Sequence, residues 1–119
     1  MATLRDLKKE IRYVCGDLAA ECLIARSFIK GADKKKLNDL VIKIANLQST
    51  ALANTDFSFD KQPADFDTTH AYRKARHSYF KSAFKSLREK FYNHANDIVH
   101  EMNSALPAPA REAKKEMQA

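Results

Sequence analysis

The residues able to do chemistry are few, and their spacing brings no set of them together. The chain has four histidines and two cysteines. Asp97 and His100 stand at i, i+3, the spacing that helical two-metal carboxylate sites use. Such sites also need Glu or His ligands from facing helices. One pair alone, divided between two faces of an ideal helix, builds no such site. Asp56, Asp60, Asp65 and Asp67 crowd residues 54–67, but a calcium loop would also need a Gly at its turn and a closing Glu. No Gly-rich phosphate loop and no nucleophile motif occurs. Cys15 and Cys22 would lie about 10 Å apart along one helix, beyond disulfide reach. They are expected as reduced core thiols.

Arg88 and His94 have five residues between them, a spacing found in some helical ribonucleases. On an ideal helix they diverge by about 120°. His94 falls among core-facing residues, which predicts a hydrogen-bonded core histidine. With no constellation converging, the sequence predicts no catalytic residue, no metal and no cofactor.

One cationic row stands out. The net charge is +6, and residues 70–90 account for it, with seven Lys or Arg against the single acid Glu89. Elsewhere bases and acids balance. His70, Lys74, His77, Lys81, Lys85 and Arg88 align along one helix face and end at Tyr92. A straight row of cations can follow phosphates, so nucleic acid or another polyanion is a possible partner class. Tyr72 and Tyr79 are expected on another face, which leaves the row without interleaved stacking rings.

The elements that must carry these residues are helical. The chain has 119 residues, two Gly and three Pro, shows no strand-like alternation, and is long enough for one core. Thr3, with Asp6 three positions on, predicts a capped helix running to Lys30–Gly31. Leu4, Leu7, Ile11, Val14, Cys15, Leu18, Cys22, Ala25 and Ile29 form its apolar stripe. The opposite face gathers Tyr13, Gly16, Ala20, Leu23, Ile24 and Ser27, none of them charged. Asp33 is expected to cap a second helix that buries Leu37, Leu40, Val41, Ile44, Leu47 and Ala51, with Gln48 in that face. The stretch from Thr68 to Leu106 holds no Gly or Pro and reads as one helix of about 58 Å. Its core stripe is Phe80, Phe84, Leu87, Phe91, Ala95, Ile98 and Met102. Asn93, Asn96 and Asp97 are its weakest helix formers and allow a break there. Residues 107–119 are expected to form a disordered charged tail.

Three segments carry a likeness. Leu4-Arg5-Asp6-Leu7-Lys8-Lys9-Glu10-Ile11, Ile44-Ala45-Asn46-Leu47-Gln48 and Ala71-Tyr72-Arg73-Lys74 resemble a family of small all-helical proteins from Bacteroidetes that has no assigned activity. The resemblance implies a cytoplasmic helical bundle and carries over no ligand or catalytic residue.

These readings combine into an all-α, up-and-down bundle over residues 1–106 with three long helices, or four if the last one breaks near Asn93–Asn96. No run approaches the ~20 apolar residues of a membrane span, and no signal peptide is evident. A cytoplasmic location and no small-molecule ligand are expected. The leading function is a self-associating interaction or scaffold protein, with Tyr13, Gly16, Ala20, Leu23 and Ile24 at the interface. A second apolar patch is expected where the long helix outruns the first one, leaving Ile98, Val99, Met102 and Leu106 uncovered. Arg73 or Arg76 is expected to pair with one of the loop aspartates, in the same chain or a neighbour.

Overall fold

The computed structural model describes residues 3–107. Among them are three α-helices, α1 (Leu4–Phe28), α2 (Lys34–Ala53) and α3 (Thr69–Ser104), and a short 3-10 turn at Pro63–Asp65. No strand occurs among the described residues, and the fold is an all-α bundle. The expected charged tail lies outside the described residues, apart from Pro107.

Local chemistry fixes each helix start. The Thr3 side chain accepts from the Asp6 amide, and the Asp6 carboxylate accepts from the Thr3 amide, closing a capping box. Asp33 caps α2 through the Lys36 amide. Thr68 caps α3, accepting from the Ala71 amide. α1 stops at Phe28, and Gly31 takes φ +87 in the turn that follows. Only a residue without a Cβ adopts that backbone freely.

The core is built from stripes of all three helices. Leu7, Ile11, Cys15, Leu18, Cys22 and Ala25 of α1 meet Leu37, Leu40, Ile44 and Ala51 of α2. Phe91, Ala95, Ile98 and Met102 of α3 close the third side, with Ala105 and Leu106 just beyond it. The end of α3 is tied to the α1–α2 turn. The Asp33 amide donates to the Ala105 carbonyl at 2.9 Å, and Lys36 reaches the Ser104 hydroxyl.

These ties set a register that the sequence reading placed differently. Glu10 lies beside Arg88 and Tyr92, and Cys22 beside Met102 at 3.5 Å. α1 and α3 are therefore parallel, with α3 residues about 80 positions ahead of their α1 neighbours. Ile98, Met102 and Leu106 are buried within the chain and Val99 is half-buried, so the expected apolar patch at that end does not exist. The overhang is at the other end. Residues 69–82 stand beyond Thr3, as an arm of roughly four turns. The connection from Asn54 to Thr68 makes this possible, because 15 residues can span up to about 50 Å. It lets α3 begin well outside the bundle and then run back in. The molecule is accordingly elongated, 65 × 27 × 17 Å.

α3 is unbroken, so the four-helix alternative does not hold. Asn93, Asn96 and Asp97 all face water, while Ala95 and Ile98 between them are buried. Burial of the intervening apolar residues overrides the weak propensity of their neighbours.

Candidate interaction surfaces

The first surface is the outer side of α1. Its residues follow from the helical period: the same repeat that buries Leu18 and Cys22 turns Tyr13, Gly16, Ala20, Leu23, Ile24 and Ser27 outward. All six are exposed, Tyr13 at 73% and Ile24 at 57%. Phe28, outside the expected set, is exposed at 82% at the helix end. Its position in the last turn, next to the residues that break the helix, could have signalled this. A Cβ built on Gly16 meets nothing within 4 Å, so no neighbour inside the chain requires a glycine there.

The second surface is the arm. Phe57, Phe59 and Phe66 of the connection pack on Tyr72, Tyr79 and Phe80, with ring centroids 5.3–6.3 Å apart. The connection braces the arm, because that is where α3 is uncovered. His70, Lys74, His77, Lys81 and Lys85 are exposed along this region.

Arg88 is also exposed but is not free. It donates to Glu10 at 3.1 Å, and its guanidinium lies 4.9 Å from the centre of the Tyr92 ring. The Tyr92 hydroxyl donates to the same carboxylate. That bond, with Arg88 second, holds the Glu10 carboxyl below its ordinary value, and partial burial opposes the shift. Burial and the neighbouring carboxylate raise Tyr92. Among the described residues the cationic row thus has five untethered members and one anchored to α1.

Within the chain, Arg73 and Arg76 do not make the expected pairs. Among the described residues no ion pair joins either to a loop aspartate. The Arg76 guanidinium lies instead over the Phe80 ring, 4.8 Å from its centre. Asp65 turns inward on its own segment and accepts from the Gln62 amide. Tyr72, Arg73, Arg76, His77 and Phe80 line an open cleft of about 570 Å³. The side of α3 that faces the core further along thus carries Arg73 and Arg76 here, with rings at its edges.

A second cleft, about 540 Å³, runs between α2 and α3 and includes Lys43, His94, Asp97, His100 and Glu101. His94 is exposed there and is not a core histidine. It sits one residue before the buried Ala95, just past the edge of the packed stripe. Lys43 and Glu101 bridge this cleft at 2.6 Å. Among the described residues no group of three or more His, Cys, Asp or Glu is placed to hold a metal ion. Cys15 and Cys22 are buried thiols not joined in a disulfide, and burial raises the Cys15 thiol above its ordinary value. No helix of the described residues is long and apolar enough to cross a membrane. No protein-family model, no curated protein and no solved structure matches this chain.

Proposed function

We propose that this chain is a small, self-associating helical interaction protein without catalytic activity, working in the cytoplasm. The observation that carries the reading is the exposed, uncharged outer side of α1, with Tyr13, Leu23 and Ile24 in water. Burying apolar surface yields about 25 cal/mol per Å², and a second copy offers the same surface at no further cost in sequence. The apolar end of α3 gives no support, since the chain covers it itself. Light scattering at increasing concentration tests the reading. A mass above 13.5 kDa is expected, and Ala20→Glu should return it to that value with helicity intact. A mass that stays at one chain up to the solubility limit overturns self-association.

A second reading, binding of nucleic acid or another polyanion, is favoured by the arm. From Thr68 to Arg88 there are six Lys or Arg and no acid, and only Arg88 has an acidic partner among the described residues. Fluorescence anisotropy with labelled single-stranded RNA tests this. Affinity should fall steeply between 50 and 200 mM salt. Replacing Lys74, Lys81 and Lys85 with Glu should abolish it. Arg88 is left in place because Glu10 holds it.

A further inference from the structure

The outer side of α1 has a period as well as a composition. Tyr13, Gly16, Ala20, Leu23 and Ser27 are spaced 3, 4, 3, 4, the a and d positions of a coiled-coil seam. In that register Arg12 is a g position and Asp17 an e position. Both are exposed, and neither makes an ion pair among the described residues. Gly16 has open space around it, and with Ala20 it lets a second helix backbone approach closely. Among the described residues nothing else obstructs that approach, because α2 and α3 pack on the opposite side of α1.

The flanking charges choose the orientation. In a parallel pair each g residue faces the e residue five positions on in the other chain. Arg12 then meets the partner's Asp17, twice by symmetry. At the next such position Ala19 meets the partner's Ile24. An antiparallel pair that keeps the same seam layers does the reverse. It brings Arg12 near the partner's Arg26 and sets Asp17 against the partner's Asp17, and like charges at these positions are unfavourable.

We propose that two copies associate through a parallel, two-fold α1–α1 seam from Tyr13 to Ser27, closed on each side by Arg12 and the partner's Asp17. This deepens the self-association reading by naming its partner, orientation and charge pairs. The seam covers only about 21 Å of helix and falls short of a standard interface in area, so the dimer is weak and dissociates on dilution.

Sedimentation equilibrium on the whole chain at 150 mM salt reads the association constant. Arg12→Glu and Asp17→Lys should each weaken the dimer by at least about tenfold, and the double variant should restore it. Orientation is read separately with Ser27→Cys under oxidised glutathione. The parallel seam brings Cys side chains at this a position together, giving a disulfide-linked dimer that mass mapping locates at residue 27. A wild-type chain that is monomeric at every concentration overturns self-association itself. A dimer that is insensitive to both charge reversals, or that forms no link at residue 27, overturns the parallel seam while leaving self-association standing. All these positions are exposed, and circular dichroism checks that each variant remains folded.

Discussion

Glu10 is the residue whose chemistry the sequence concealed. It looked like one more surface acid in an alternating run, yet it receives both Arg88 and Tyr92 from a helix about 80 residues away. Its carboxyl titrates lower in the fold than in the open chain, where it would sit near 4.5. A depressed carboxyl contributes stability above the unfolded value, and that contribution disappears as pH falls through the folded value. Glu10→Gln should therefore destabilise the protein at pH 7, by less than about 1 kcal/mol because the pair is partly in water. The gap between variant and wild type should close as pH is lowered below 4.5. Urea midpoints at stepped pH values check this, and a gap independent of pH would remove Glu10 from the linkage. His94 carries the complementary lesson. Helical spacing placed it near the core, but a difference of one position along α3 separates the buried Ala95 from a side chain in water.

At the scale of elements, the helices and the caps of α1 and α2 were legible and the mutual register of the helices was not. Thr3, Asp33 and the apolar stripes of α1 and α2 follow from local rules that need no knowledge of the rest of the chain. Register depends on where a long connection delivers the next helix, and apolar spacing is blind to that. A signal was nevertheless present. The stripe of α3 runs backward through Phe84 and Phe80 and then meets Arg73 and Arg76 in the same direction. Two arginines on a core-facing line mark the end that has no core to face. The arm should depend on its aromatic brace more than on helix propensity, since an isolated segment of this length is marginal in water. Phe59→Ala removes contacts to Phe66, Tyr72 and Tyr79. Amide exchange across residues 69–82 should accelerate while that of residues 91–102 remains unchanged. Equal acceleration in both segments would mean that arm and bundle open as one unit.

At the scale of the whole molecule, stability is concentrated at one end. Phe91 is 2% exposed, and Phe91→Ala should cost about 3–5 kcal/mol, a large share of the roughly 5–15 kcal/mol typical of a domain. Phe84, two turns earlier and half-buried, should cost clearly less. Urea unfolding of the two variants checks the gradient, and equal losses would show that the core extends further toward the arm. The two candidate surfaces also differ in what an analysis of sequence can see. The outer side of α1 was visible as an uncharged patch. The cleft holding Tyr72, Arg73 and Arg76 was not, because it exists only once the overhang has been placed.

The tie between the end of α3 and the α1–α2 turn also sets an order of events during synthesis. Translation delivers α1 and α2 early, and they can pair as a hairpin as soon as both have emerged. Their shared apolar face stays open through the whole of the connection and the arm, because Thr55 is the one buried residue that these two segments contain. Only when Phe91 to Leu106 leave the ribosome does the third wall arrive, and the Asp33–Ala105 bond that latches it comes last. The nascent chain therefore carries an unsealed core for most of its length, the kind of surface on which chaperones act.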